Sequence, residues 1–391
     1  MYPLQRSAFL SSFECLGDAC PDTCCKGWGM QLDPATREKY IREAPELMEA
    51  VTTGEAEWIM KRDPVTDYCV KFTDGLCAIH KEKGTAFLGD ACHFFPRITR
   101  SLGEVHLMTA ALSCPEVTRL ALFSEGAFAL QPAQADRLPW SLMDYLPEGL
   151  SETEAVNVHT AFVHAAGDET VSPERSMARL GSVVRSLQMQ DSKSWPMAVE
   201  FYLKHVDGRL PVPEENIADP FNLLHALVGL LKAAKPSARP RLEETIHAME
   251  EALFASIHRE TLTLTTSDAS PRAYLALRGA WREQWAAHFA PLLRRWIQAQ
   301  LAASLFPFSG LGDSLTERIT IICVRFATLR LALMSCCHAH QGIPSDEETI
   351  RVIQSLSRFL DHLADPALSL SMYKETGWTL EARARGLLGD E

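Results

Sequence analysis

Four cysteines fall within eleven positions, in the run Cys15-Leu-Gly-Asp-Ala-Cys20-Pro-Asp-Thr-Cys24-Cys25-Lys-Gly-Trp28. Thiolates are soft ligands, suited to zinc or to iron-sulfur clusters. Pro21 suits the first position of a helix, Asp22 complements the positive helix end and Gly27 suits a left-handed C-cap, so the run predicts one or two helical turns. On such a turn Cys20 and Cys24 share a face, and Cys25 is rotated by about 100° from Cys24. Cys25 then serves a second site, or the site sits at the helix end where both reach it. As N-cap, Cys20 would have free backbone donors beside its sulfur, which predicts a favoured thiolate.

Cys69, Cys77, Cys92 and Cys114 follow, so eight of the eleven cysteines lie between positions 15 and 114; the others are Cys323, Cys336 and Cys337. With 391 residues the chain can bury a core without covalent help, so the cysteines are not needed for stability. Apolar residues make up 47% and charged residues 23%, the balance of a globular protein. The formal charge of -12 speaks against sequence-independent binding to nucleic acid or anionic lipid. The start, Met1-Tyr-Pro-Leu-Gln-Arg6, does not read as a leader, and no apolar run reads as a membrane span. A cytoplasmic protein is expected, where thiols stay reduced and clustered cysteines serve as ligands or catalytic groups.

The elements that must position these thiols are short. Asp33 caps a helix begun by Pro34 and running through Tyr40 toward Met48. Asp74-Gly75 predicts a hairpin between 68–72 and 76–79. Its register matters: a two-residue turn pairs Phe72 with Cys77 and sets Cys69 and Cys77 on opposite faces, whereas a three-residue turn makes them co-ligands. Residues 98–112 with a turn at 102–104 predict a second hairpin. Trp28, Phe94 and Phe95 read as core residues around the metal site, and His93 as a group beside the ligands rather than one of them.

The fold class expected is mainly α: a small Cys-rich metal-binding module with short hairpins over 1–120, a Pro-rich connection over 121–150, and a helical domain over 151–391. Helix starts are marked at Ser172-Pro173-Glu174, Asp219-Pro220, Pro240 (running to His258), Ser270-Pro271 and Ser345, whose partner Glu348 completes a capping box. Pro291 is expected to kink or divide the segment 271–305. Gly310-Leu-Gly312-Asp313 reads as a loop before an Asp-capped helix, since no strand precedes it and the third glycine of a dinucleotide fingerprint is missing. Cys336-Cys337-His338-Ala-His340 has ligand-like composition, explained by buried thiols and by histidines at a negative helix end. Arg318 and Arg325 share a helix face and read as solvated, with a carboxylate-binding pair the sharper alternative.

Four-cysteine zinc sites usually show paired Cys-x2-Cys knuckles, absent here, whereas clusters need only four thiolates converging in space. The choice tilts toward iron. Convergence of Cys20, Cys24, Cys25 and Cys92, with Cys69 and Cys77 nearby, is expected.

The ordered set Phe13-x-Cys15-x4-Cys20-x3-Cys24-Cys25-x-Gly27-Trp28, then Asp33, Tyr40, Cys69, Leu76-Cys77, Cys92-x2-Phe95-Pro96-Arg97 and Ser113-Cys114-Pro115-Glu116, resembles the flagellin lysine-N-methylase (FliB) family over residues 9–120. Beyond that the likeness rests on Leu305-Phe-Pro-Phe308 and an Arg-rich apolar helix near 318–334. The resemblance implies transfer of a methyl group from S-adenosylmethionine to lysine side chains of flagellin, with an iron-sulfur cluster, of the 4Fe-4S kind, held among Cys15, Cys20, Cys24, Cys25, Cys69, Cys77, Cys92 and Cys114. The core Cys-x3-Cys-Cys…Cys…Cys-x3-Pro also resembles cysteine-cluster domains that chelate zinc or iron, which implies a non-enzymatic interaction module instead. The run departs from the radical S-adenosylmethionine pattern Cys-x3-Cys-x2-Cys, because Gly27 stands at the last position; radical and polar methyl transfer both stay open. For a polar transfer a base must take the lysine proton, and Asp33, Glu104 and Tyr40 are candidates that read first as a cap, a surface charge and a core ring.

Overall fold

The computed structural model describes residues 1–52, 58–205, 216–233, 240–363, 365–378 and 386–388; the last residues of the expected helical domain, 379–385 and 389–391, lie outside them. The architecture is mainly α with small sheets, as expected. Strand β1 (Tyr2–Ser7) is followed by helix α1 (Pro34–Glu43), the hairpin strands β2 (Phe72–Thr73) and β3 (Leu76–Cys77), and the short helices α2 (Ala78–Lys83) and α3 (Asp90–Phe94). Strands β4 (Arg97–Leu102) and β5 (Val105–Ala110), helix α4 (Pro115–Phe123) and strand β6 (Leu130–Ala135) complete the first third.

Helices α5 (Glu152–Ala166), α6 (Pro173–Gln188), α7 (Trp195–His205), α8 (Asp219–Ala233) and α9 (Pro240–Leu253) come next, then a hairpin of β7 (Ala255–Ile257) and β8 (Leu264–Thr266). The chain ends with α10 (Ser270–Ala280), α11 (Ala286–Ala303), α12 (Leu315–Ala339), α13 (Asp346–Arg358) and α14 (Pro366–Glu375).

Local chemistry explains most of these boundaries. Asp33 accepts from Thr36 N at 2.9 Å and Pro34 opens α1, which Pro45 then stops short of Met48. Ser151 and Glu154 form a full capping box on α5, a signal the sequence reading passed over. At α13 the expected box is only half made: Ser345 Oγ accepts from Glu348 N, but the Glu348 carboxylate turns to Arg351. Helix α12 is capped by Ser314 rather than Asp313. Helix α9 stops at Leu253 instead of His258, because Phe254 adopts a φ of 48° and starts the β7–β8 hairpin. The division expected at Pro291 lies upstream, in a π-helical turn over Trp281–Trp285 whose extra residue seats both tryptophans in the core.

The sheet runs in the order β4-β5-β1-β6, with β1 parallel to β5 and antiparallel to β6. Residues 130–135, within the segment read as a connection, are therefore an edge strand; Pro132 is tolerated because an edge offers a side with no partner to bond. The inner face of this sheet shares one apolar core with the helices, from Leu4 and Phe9 through Phe162 and Phe289 to Trp378. A second, separate core around Met30, Tyr40, Val51 and Ile79 holds the thiol-bearing loops.

At the centre stands α12. It is long and apolar enough to cross a membrane, contrary to the reading that no segment is, but 89% of its most apolar window is buried inside the protein. Its arginines are committed internally, Arg325 to Asp361 at 2.9 Å and Arg330 to Glu174 at 3.5 Å. It is a core helix.

Candidate metal centre

No helix forms over residues 21–27. Cys20 instead closes a 3-10 turn, Gly17–Ala19, and the chain after it is extended and bent. A seven-residue helix repays its nucleation poorly, and the backbone here is taken up across the chain: Lys26 bridges Tyr68, Gly27 N donates to Asp67 O and Cys69 N donates to Cys25 O at 2.8 Å. This loss of the helix brings the adjacent cysteines together. The neighbouring Cys25 thiol, together with Arg358, pulls Cys24 down to about 7, while Cys24 and burial push Cys25 far up. Cys20 is shifted upward by burial, the opposite of the favoured thiolate expected at an N-cap.

The Asp74-Gly75 turn has two residues and pairs Phe72 with Cys77. Cys69 is nevertheless not turned away from Cys77, since β2 begins only at Phe72 and a tight turn from Cys69 O to Phe72 N at 2.8 Å breaks the alternation between them. Cys69 feels the charge of Cys77, and both act on Cys92. The second hairpin forms as read, with Leu102 opposite Val105.

Seven of the eight expected ligands, Cys15, Cys20, Cys24, Cys25, Cys77, Cys92 and Cys114, line one cavity of about 670 Å³. Cys69 lies behind it in the second core, packed with Cys25, Cys77 and Cys92. Burial raises Cys92 strongly and Cys114 to about 12. The remaining wall is largely apolar and aromatic: Phe13, Trp28, Phe94 and Phe95 all line it, with Trp28 and Phe95 at 5.6 Å between ring centroids. His93 lines it too, its basicity lowered by desolvation and by Arg137 and Arg97.

Three residues that sequence reasoning passed over clamp this module to the helical part. Gln354, Arg358 and His362 recur every four positions on α13 and the turn after it, so they share a face. Gln354 Nε2 donates to Asp22 Oδ2 at 2.8 Å and to Ser113 O at 2.9 Å, and its Oε1 accepts from Arg241 at 3.2 Å. Arg358 pairs with Asp22 Oδ2 at 2.6 Å and donates to Lys26 O at 2.5 Å. His362 Nε2 lies 2.8 Å from Ser113 Oγ, and its ring centroid is 6.0 Å from both Trp28 and Phe95. The legible signal was Gln and Arg repeating at i, i+4, two long polar side chains that the structure buries.

The other candidates are structural. Asp33 is a cap that also accepts from Asp90 N at 2.9 Å, Tyr40 Oη donates to Phe87 O at 2.6 Å, and Glu104 is exposed in the β4–β5 turn. Arg318 and Arg325 are neither solvated nor a pair on one anion, since Arg318 donates to Pro307 O and Gly312 O while Arg325 holds Asp361 and Leu360 O.

A family model described as the FliB lysine N-methylase C-terminal domain matches residues 160–377, more than half of the chain and the part that carries the clamp. The chain belongs to the FliB family. It is 31% identical over 133 residues to the flagellar biosynthetic protein FliU of Salmonella muenchen, covering 32% of this chain and 79% of that protein. It is equally 31% identical over 133 residues to the lysine-N-methylases of Salmonella typhimurium and Salmonella choleraesuis, covering 32% of this chain and 33% of each. The aligned segment thus spans about a third of the length of those two relatives. No solved structure matches.

Proposed function

We propose that the protein is a cytoplasmic protein-lysine N-methyltransferase that uses S-adenosylmethionine to methylate flagellin, with an iron-sulfur cluster held by the N-terminal cysteines. Seven thiols on the wall of one cavity, clamped by residues of the family's C-terminal domain, carry this reading. The donor set fits a cluster. It is all sulfur, which selects zinc, copper(I) or iron-sulfur over hard cations. A single zinc ion takes four such ligands, whereas seven thiols line this cavity.

Cys20, Cys24, Cys25 and Cys92 are the residues that would hold the cluster, with Cys77 and Cys114 beside them. Such a cluster, when bound, supplies electron-transfer capacity or a structural anchor. The chain's own residues supply the rest. An entering lysine is an ammonium with no lone pair, and the apolar wall of Phe13, Trp28 and Phe95 favours its neutral form by desolvation. His93, held neutral by the same burial and by two arginines, is available as an acceptor for the released proton. Arg97 and Arg6, also on the wall, suit the carboxylate of the methyl donor.

The test is co-expression with a flagellin from the same cell, followed by mass spectrometry. Mass added in single methylene steps on lysines, dependent on S-adenosylmethionine and on Cys24, is expected, together with iron and sulfide in anaerobically purified protein. Colourless protein holding zinc, with tight partner binding and no mass change, overturns the enzyme reading in favour of an interaction module.

A further inference from the structure

A second set of ligand types meets far from the cavity. Cys336 and His340 stand four apart at the end of α12, and Glu348 lies in the first turn of α13, across the connection 341–345. One donor atom from each lies within 4.8 Å of the other two. Glu348 and Arg358 are ten residues apart on α13, about 15 Å along the helix, so this corner is separate from the thiol cavity.

The structure assigns to Cys336, His340 and Glu348 a binding site for a borderline-soft divalent cation of the zinc type. A thiolate, an imidazole and a carboxylate are a donor set such ions take. His340 Nε2 lies 3.7 Å from Glu348 Oε1, within ion-pair reach but too long for a hydrogen bond. An ion bound to both atoms at about 2 Å would bridge that gap.

Charge agrees with this. Arg351 pairs with both Glu348 and Glu244, so the carboxylates at this corner outnumber its guanidinium by one, a surplus of negative charge that suits a cation. Cys336 is buried and His340 exposed, so the site opens to solvent on one side, where water can complete the coordination. An ion there ties the end of α12 to the start of α13, the helix that carries Gln354 and Arg358 to the thiol cavity.

The test is cobalt(II) titration of the full chain with its N-terminal cysteines already loaded, comparing wild type, His340→Ala, Cys336→Ser and Cys337→Ala. Wild type and Cys337→Ala are expected to take up one further equivalent with a thiolate-to-cobalt charge-transfer band. Both His340→Ala and Cys336→Ser lose that equivalent and band while the N-terminal metal content stays unchanged. His340 is exposed, so its variant keeps the fold and decides the matter if Cys336→Ser misfolds. No further equivalent in wild type, uptake without a thiolate band, or uptake that survives His340→Ala overturns the assignment.

Discussion

The two cysteine-bearing regions of this protein use one side chain in opposite ways. On α12, Cys323 and Cys337 sit among Ile319, Leu333 and Met334 in the continuous core, where a thiol is a small apolar filler. Around the N-terminal cavity the cysteines sit on loops, an isolated bridge, a two-residue strand and short helices or their caps, with Cys25, Cys69, Cys77 and Cys92 packed against a small core of their own. Regular helices supply enough apolar contact to absorb a thiol. The short elements do not, and they keep their thiols turned toward a shared space.

The sharpest way to break this comparison is to remove one thiol from each region. Cys24→Ala should abolish iron and sulfide loading outright, because Cys24 lines the cavity and is the thiol that Cys25 and Arg358 shift toward thiolate. Cys337→Ala should leave loading unchanged. Elemental and sulfide analysis of anaerobically purified protein reads both, and full loading of Cys24→Ala would remove that residue from the ligand set.

The next largest effect is expected where the two regions touch. Arg358→Met removes a largely buried guanidinium from Asp22 and Lys26 O and leaves the Asp22 carboxylate with Gln354 as its remaining side-chain partner among the described residues. Breaking a buried pair by removing one member costs about 3 kcal/mol. The urea midpoint should fall accordingly, and a double variant with Asp22→Asn should recover part of the loss. An unchanged midpoint would mean that the module is held by apolar packing alone.

What could be read from the sequence followed the reach of the interactions. The Asp33-Pro34 start of α1 and the Asp74-Gly75 turn are local, and both formed as read. The gathering of the thiols was legible from residue type alone, since eight cysteines in a quarter of a chain have few other uses. The helix expected over 21–27 failed because its backbone found partners at 67–69, some forty residues away. The clamp was harder still, as Asp22 and Gln354 are 332 residues apart. Arg318 and Arg325 shared a face as read, but their partners, Pro307 O and Asp361, come from turns outside α12.

A smaller, pH-dependent effect should distinguish the shared core from the thiol region. His159 is buried in α5, its Nδ1 2.8 Å from Phe306 O, and desolvation lowers its pKa. In the unfolded chain it takes a proton near pH 6.5. Below that pH the unfolded state binds more protons than the folded one, so stability falls as pH drops, by at most about 1.4 kcal/mol per pH unit. His159→Gln should flatten the decline of Tm between pH 6.5 and 5. If wild type and variant lose stability in parallel there, His159 is not the group responsible.

The smallest effect should come from the α12 thiols themselves. Cys337 is fully buried, and burial raises its pKa to about 12, so it is a neutral thiol at any physiological pH. Cys337→Ala deletes one sulfur atom without stranding a charge or a strong hydrogen-bonding group. The loss is that of a small core truncation, about 1 kcal/mol, from lost transfer free energy and a residual void. Cys337→Val, which refills the space, should recover part of it, because a thiol that only packs is replaceable by carbon of similar volume. No such recovery is expected at Cys24 or Cys92, where a valine fills space but offers no ligand. Denaturant melts of the α12 pair, set beside metal content of the cavity variants, read the difference directly. A Cys337→Val protein that lost several kcal/mol would show that its thiol does more than pack, and the contrast between the two regions would then fail on the helical side.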